Sequence, residues 1–185
     1  MLALLAFIPI LITLVLMMVF NWKAKWCLLI SWILSVVFAF FFWNIDFKAL
    51  VLKYKEQMIK DTQDLLRINS ELTTFDPNRV GAPFGEGNKE ALDFMLNMGK
   101  KDGFRTENVD GYAGHIEFGD SEEYIGSIGH LDVVPAGTGL TYPPYEAQIH
   151  DNKIYARGAE DDKGPTMAVY YAMKILKEEG IKLSK

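Results

Sequence analysis

The charged residues of this 185-residue chain are divided very unevenly along its length. Before Asp46 the only charges are those of Lys23 and Lys25, whereas all 24 acidic residues lie from Asp46 onward. An uncharged apolar run of about 20 residues in helical conformation is long enough to cross the hydrocarbon core of a bilayer. This distribution predicts two parts in different environments, with residues 1–45 in lipid and residues 46–185 in an acidic globular domain.

Two apolar stretches, Met1–Phe20 and Cys27–Trp43, occupy the first part and are separated by a short polar link. The link carries Trp22 and Trp26, and tryptophan is enriched at membrane–water interfaces. We therefore predict a transmembrane helical hairpin over residues 1–45, with the lipid bilayer as a partner and the cell membrane as the location. A cleaved signal peptide is less favoured, because the chain lacks a basic n-region and a small-residue cleavage site.

The composition excludes several classes of function. The net charge is −5, and the sequence has no basic cluster that could replace the counterions of nucleic-acid phosphates, so we expect no nucleic-acid partner. Neither a Walker loop nor a GxGxxG motif after a strand is present, which argues against a nucleotide site. Because Cys27 is the only cysteine, a multi-thiolate metal site is impossible within the chain. Any bound metal must be held by oxygen and imidazole ligands.

The periodicity of residues 46–185 predicts an α/β domain in which helices pack on a mixed β-sheet. Helices are predicted from about Phe47 to Asn69, over Asn88–Lys101 and around Met167–Leu176. Strands are predicted at Arg105–Val109, His115–Phe118 and Tyr124–Ile128, with a further hairpin over Ile149–Tyr155.

A histidine and an aspartate follow the most apolar of these predicted strands. Tyr124–Gly129 is apolar enough for a buried central strand, so His130 would lie at its carboxyl end, the edge where open α/β sheets bind ligands. His130 and Asp132 are two residues apart, and in extended backbone that spacing directs both side chains to the same face. One imidazole nitrogen could then bind a metal while the other donates to the carboxylate, which fixes the tautomer.

Two adjacent acids, Asp161 and Asp162, form the second motif. Holding them close together is costly unless a cation shares them, and a divalent metal would remove the repulsion. The acids could also simply compensate the dipole of the helix that Gly164 and Pro165 open. The occurrence of both motifs in this order, each beside glycines, favours a metal site.

The segments Gly129–Gly137 and Tyr155–Pro165 together resemble the co-catalytic dizinc exopeptidases and deacylases, in particular the dipeptidases of the peptidase V type. The resemblance extends over nearly all of residues 46–185. It implies that this region is the amino-terminal part of a zinc-exopeptidase catalytic domain. It also implies a function, the zinc-dependent hydrolysis of dipeptides.

The resemblance assigns roles to three residues. His130 would be a ligand of one of two Zn²⁺ ions, Asp161 the carboxylate that bridges both, and Asp132 the catalytic acid that orients His130. The peptide bond between Asp161 and Asp162 is expected to be cis. In this chemistry the metals lower the pKa of a bridging water, a glutamate takes its proton, and hydroxide attacks the peptide carbonyl.

The resemblance also implies that the glutamate pair, a later aspartate and a carboxyl-terminal histidine of such enzymes would lie beyond Lys185. Glu178 and Glu179 end the last predicted helix, and we interpret them as surface residues rather than that pair. We therefore expect a fragment that lacks the general base and several metal ligands, binds zinc weakly and has little or no activity alone. The peptidases that it resembles would be cytoplasmic.

The first residues carry a second resemblance. Met1–Leu11, with the link Asn21–Lys23, resembles the amino terminus of bacterial lactate permeases. Two helices alone cannot build a transport path, so the resemblance does not imply transport. It leaves two alternatives open, a fragment of a lactate-permease-like transporter or a membrane-tethered non-catalytic module.

Overall fold

A computed structural model of the chain describes residues 11–12, 15–19 and 47–181. The chain divides into two compact units, Met1–Lys55 and Glu56–Lys185. The assignment of residues 1–45 and 46–185 to a hairpin and a peptidase domain stays a prediction.

The predicted location in the cell membrane is wrong. In the part of the chain that the structure describes, no helix combines the length and the apolar character that crossing a bilayer requires. The long helix at Phe47–Arg67 carries charged residues in every turn from Lys53 onward, and charged side chains are expensive at the centre of a bilayer. Most of the predicted hairpin, residues 1–45, lies outside the described residues.

From Phe47 onward, the described residues form helices and short strands, as the sequence predicts for a mixed α/β fold. The helices are α1 (Phe47–Arg67), α2 (Glu86–Lys101) and α3 (Lys163–Glu178). The strands are β1 (Arg105–Val109), β2 (Ala113–Glu117), β3 (Gln148–His150) and β4 (Lys153–Tyr155).

The strands form two separate antiparallel hairpins instead of the single mixed sheet that we predicted. In the first hairpin Arg105 pairs with Glu117, and in the second Gln148 pairs with Tyr155. Asp151 and Asn152 turn the second hairpin with positive φ angles of 49° and 61°, a conformation that Asn and Asp tolerate better than most residues.

The prediction of a buried central strand at Tyr124–Ile128 is wrong. Tyr124, Ile125 and Ile128 are 85%, 91% and 101% exposed, and the segment has no strand conformation. A strand is buried only when neighbouring strands accept its hydrogen bonds and other elements cover its faces. Among the described residues no strand lies beside this segment.

The core forms where the end of α1 meets the start of α3. Leu65 and Leu66 of α1 and Met167 of α3 are completely buried. The hydroxyl of Tyr171 in α3 donates to Asp61 Oδ2 in α1 at 2.6 Å and so adds a hydrogen bond between the two helices.

The first hairpin packs on α2 through a close approach at Gly99. A Cβ atom at this position would lie 2.9 Å from the Thr106 side chain and 3.0 Å from that of Ile116. Only glycine therefore lets the helix lie this near to the sheet.

A buried lysine connects α3 to α1. The Lys163 side chain is fully buried, and its Nζ donates to the carbonyl oxygens of Leu65 at 3.2 Å and Ile68 at 2.7 Å. Leu65 lies in the last turn of α1 and Ile68 directly follows the helix, where backbone acceptors lack helical partners and a positive charge is favourable. Burial lowers the pKa of Lys163 to about 8, against the weaker opposing charges of Glu90 and Asp132.

We predict that stability rises with pH because of Lys163. Its folded-state pKa of about 8 lies below the ordinary 10.5, so between these values the unfolded chain binds more protons and a higher pH favours folding. The free energy of unfolding should therefore rise over this interval by up to roughly 3 kcal/mol more in the unsubstituted chain than in Lys163→Met. Urea unfolding at pH 7.5 and pH 10 measures the difference.

Lys101→Met provides the matched control, because Lys101 is an exposed lysine at the end of α2. It should keep the pH dependence of the unsubstituted chain. An equal rise with pH in Lys163→Met would show that the buried ammonium has an ordinary pKa.

Candidate functional site

The His130 motif is held in place by the residues that follow α1. Ser70 is completely buried, and its Oγ donates to the carbonyl oxygen of Leu131 at 2.5 Å. The Ser70 carbonyl accepts the amide of Val133 at 3.1 Å, and Glu71 forms a parallel bridge with Val133. The main chain of the motif is therefore held at Leu131 and at Val133.

The imidazole of His130 lies between two carboxylates. Its Nδ1 is 3.2 Å from Asp132 Oδ1 and 3.1 Å from the Asp132 carbonyl oxygen, while its Nε2 is 3.1 Å from Asp161 Oδ1. A hydrogen on Nδ1 satisfies the contacts with Asp132 and leaves the lone pair of Nε2 directed toward Asp161. The structure thus brings together the three residues that the sequence singled out.

The peptide bond between Asp161 and Asp162 is cis, as the family resemblance predicted. The two adjacent carboxylates have different surroundings. The Asp161 side chain is 87% exposed and faces the ring of His130, whereas Asp162 Oδ2 accepts the backbone amide of His130 at 3.1 Å. The pair therefore contacts one histidine at two places, the ring and the main chain.

These groups open into a cavity of about 270 Å³. It is lined by His130, Asp132, Val134, Ala156, Arg157, Gly158, Glu160 and Asp161. Its polar lining consists of three carboxylates, one imidazole and the guanidinium of Arg157, so the acids outnumber the permanent cation and the cavity suits a metal ion. Asp162 is not part of the lining.

Arg157, which lines the cavity, is connected to Glu71 through the main chain of Ala136. The Ala136 amide donates to Glu71 Oε1 at 3.1 Å, and Arg157 donates from NH2 to the Ala136 carbonyl at 2.9 Å. Tyr145 also donates to Glu71 at 2.6 Å, and this hydrogen bond is the main reason that the pKa of Glu71 is lowered. Opposite charges thus hold both main-chain polar groups of a single residue.

The pKa of His130 is raised above its ordinary value. Partial burial is the largest single influence and lowers the pKa, but the hydrogen bonds and charges of Asp161 and Asp132 together outweigh it. The protonated ring therefore stabilises the metal-free fold at low pH, and this contribution is lost as pH rises through the folded-state pKa.

The donor atoms fit part of a zinc site. The paired Nε2 of His130 and Oδ1 of Asp161 are a nitrogen and an oxygen of the types that zinc prefers, and Asp132 orients the ring from the other side. The described residues contain no group of three or more His, Cys, Asp or Glu side chains arranged to hold a metal ion.

Sequence reasoning missed the residues that fix this geometry. Ser70 lies 61 positions before Leu131, and nothing in the local pattern connects them. Glu71 and Arg157 were also not assigned a function. Thr166, four residues after Asp162, carries a weak signal, since a hydroxyl at this spacing on a helix can reach back to a carboxylate.

We predict that Asp161→Asn lowers the pKa of His130, because the substitution removes one of the two negative charges that favour the imidazolium. NMR titration of the His130 ring in chelator-treated protein measures the change. The control is Glu160→Gln, since Glu160 lines the same cavity without a contact to His130. An unchanged pKa in Asp161→Asn would mean that the contact at Nε2 does not persist in solution.

Comparison with known proteins finds a family model that matches part of the chain. Residues 126–185 match the model of peptidase family M20/M25/M40. Peptidases of this family are typically metallopeptidases.

The chain is also similar to proteins named as dipeptidases. It is 50% identical over 145 residues to the putative dipeptidase YtjP of Bacillus subtilis (strain 168), which covers 77% of this chain and 30% of the relative. It is 50% identical over 131 residues to a putative dipeptidase of Staphylococcus epidermidis, covering 71% and 28%. It is 41% identical over 143 residues to the Beta-Ala-Xaa dipeptidase of Lactobacillus delbrueckii subsp. lactis, covering 77% and 30%.

The chain thus spans less than a third of the length of these curated relatives. These matches give no support to the resemblance of the first residues to lactate permeases. They agree with the family that the motifs around His130 and Asp161 indicate. Residues 126–185 are therefore similar to peptidase family M20/M25/M40, and the relatives to which the chain is similar are dipeptidases by name.

Proposed function

We propose that this chain is part of the catalytic domain of a zinc-dependent dipeptidase of the peptidase V type. The observation that carries the proposal is the contact between His130 Nε2 and Asp161 Oδ1, 3.1 Å apart in an acidic cavity. The alternatives of a transporter fragment and a non-catalytic tether have no comparable observation in their favour.

In this proposal His130 and Asp161 would hold zinc, and Asp161 would be shared between the two ions of a complete site. Zinc at such a site supplies a water of lowered pKa and polarises the carbonyl of the substrate. Because its side chain is almost fully exposed in the cavity, Asp161 has free carboxylate oxygen for more than one partner.

Asp132 acts on His130 rather than on substrate. Its carboxylate and its carbonyl oxygen both face Nδ1, so they hold the ring hydrogen on that nitrogen. Nε2 then keeps its lone pair for the metal, and the negative charge behind the ring makes the imidazole a stronger donor. Asp132 therefore determines both the tautomer and the orientation of the ligand.

The proposed substrates are dipeptides. A cavity of about 270 Å³ is near the lower end of the range of ligand pockets, which suits a short peptide better than a folded chain. One relative, 41% identical, is named for the dipeptides Beta-Ala-Xaa, and this name supports the same size of substrate.

The described residues supply two metal donors, whereas zinc generally takes four ligands. We therefore propose that this 185-residue chain alone binds zinc weakly. Glu160 lines the cavity, but no hydrogen bond positions it as a general base among the described residues.

We predict that zinc binding by the full chain depends on both proposed ligands. His130→Ala and Asp161→Ala should each weaken the Kd for Zn²⁺ at least about tenfold, because each removes one donor atom. Competition with a chromogenic chelator measures the affinity. The matched control is His115→Ala, since His115 lies on β2 beside Glu107 and Glu117 and outside the cavity. Equal affinity in all variants would refute the assignment of the ligands.

We also predict that the chain alone hydrolyses dipeptides at or below the limit of detection. The reason is that its described residues lack a positioned base and a third metal donor. A ninhydrin or HPLC assay with β-alanyl and α-dipeptides in the presence of Zn²⁺ measures the rate. Hydrolysis that chelator abolishes and that Asp161→Ala removes would contradict the inactivity while supporting the dipeptidase assignment.

A further inference from the structure

Asp162 lies at the amino-terminal cap of α3, yet its side chain does not cap the helix. A carboxylate at this position ordinarily accepts an amide of the first helical turn. Here Oδ2 of Asp162 instead accepts the backbone amide of His130 at 3.1 Å and the hydroxyl of Thr166 at 3.2 Å. The carboxylate therefore contacts the segment that carries His130 instead of an amide of its own helix.

Gly129 provides independent evidence for this contact. A Cβ atom on Gly129 would lie 2.2 Å from Thr166 Oγ1 and 2.9 Å from Asp162 Oδ2. A side chain at position 129 would collide with the side chains of Thr166 and Asp162, so glycine is required for the main chain to come this near to them. The approach places the amide of His130 on Asp162.

We infer that Asp162 and Thr166 are positioning residues that fix the main chain of His130 so that its ring faces Asp161. Thr166, on the first turn of α3, orients the Asp162 carboxylate by donating its hydroxyl. Asp162 then accepts the backbone amide of His130, while its neighbour Asp161 contacts Nε2 of the ring. The role in zinc binding rests on the proposed function, but the geometric role does not.

Asp162 itself is not assigned as a metal ligand. Its carboxylate is absent from the lining of the cavity, whereas Asp161 is part of that lining. The two adjacent acids therefore differ in their contacts: Asp161 faces the cavity, and Asp162 accepts a backbone amide. This division explains how two carboxylates can be neighbours in sequence without facing the same cation.

The first test needs no substitution. In the full, chelator-treated chain, the amide hydrogen of His130 should exchange with solvent more slowly than those of Gly126 and Ile128, for which the described residues provide no acceptor. Asp162→Asn should move the His130 amide proton resonance upfield, because a neutral acceptor forms a weaker hydrogen bond than a carboxylate. Fast exchange of the His130 amide, or an unmoved resonance in folded Asp162→Asn, would overturn the inference.

The second test separates positioning from stability. Thr166→Val removes the hydroxyl and keeps the branched shape, and it should weaken Zn²⁺ affinity about tenfold with a nearly unchanged midpoint of thermal unfolding. Thr166→Ser keeps the hydroxyl and should restore affinity to within about twofold of the unsubstituted chain. The control is Thr138→Val, in an exposed loop.

The outcomes distinguish a failure of the proposed zinc site from a failure of the positioning role. If His130→Ala leaves zinc affinity unchanged, the proposed function fails, and the exchange and resonance measurements still decide the geometric role of Asp162. If His130→Ala abolishes zinc binding while folded Thr166→Val and Asp162→Asn bind zinc normally, the positioning role is refuted and the proposed function stands. If Thr166→Val does not fold, Asp162→Asn gives the same decision.

Discussion

Hydrogen bonds at the carboxyl end of α1 hold both segments of the candidate site, the one around His130 and the one that leads into α3. The buried ammonium of Lys163 binds the Leu65 and Ile68 carbonyls and so fixes the start of α3. Two residues after Ile68, Ser70 fixes the segment that carries His130. A few polar contacts in an otherwise apolar core therefore determine how the imidazole meets the acids. Removing any of them would leave a buried polar group without its partner, which is why such contacts specify a geometry strongly.

Local patterns predicted the helices, the strands of the first hairpin and the whole of the second hairpin, because these depend on residues close in sequence. Helix α1 follows from the spacing of its apolar residues, and the turn at Asp151 and Asn152 follows from residues that tolerate positive φ. The central strand at Tyr124–Ile128 was predicted wrongly, because an apolar run indicates only that burial is favourable. Whether it is buried depends on partner strands far away in sequence, which local periodicity does not reveal.

The same distinction separates the predicted from the missed parts of the site. The two-residue spacing of His130 and Asp132 is local and could be converted directly into a common face. The meeting of His130 with Asp161, 31 positions later, came from the resemblance of two motifs to a family. Ser70 and Thr166 were missed because single hydroxyl residues carry no pattern until the backbone places them beside an acceptor.

The exposed segment from Tyr124 to Gly129 is a site where a protease can cut the chain. Exposed backbone without hydrogen bonds is where proteases cut most readily. A cut in this segment would leave Ser70 on the first fragment and His130, with Asp162, on the second. Since Ser70 and Lys163 still join α1 to the second fragment, the two pieces would remain associated after cleavage. The nicked protein would then separate in denaturing electrophoresis while migrating as one species under native conditions.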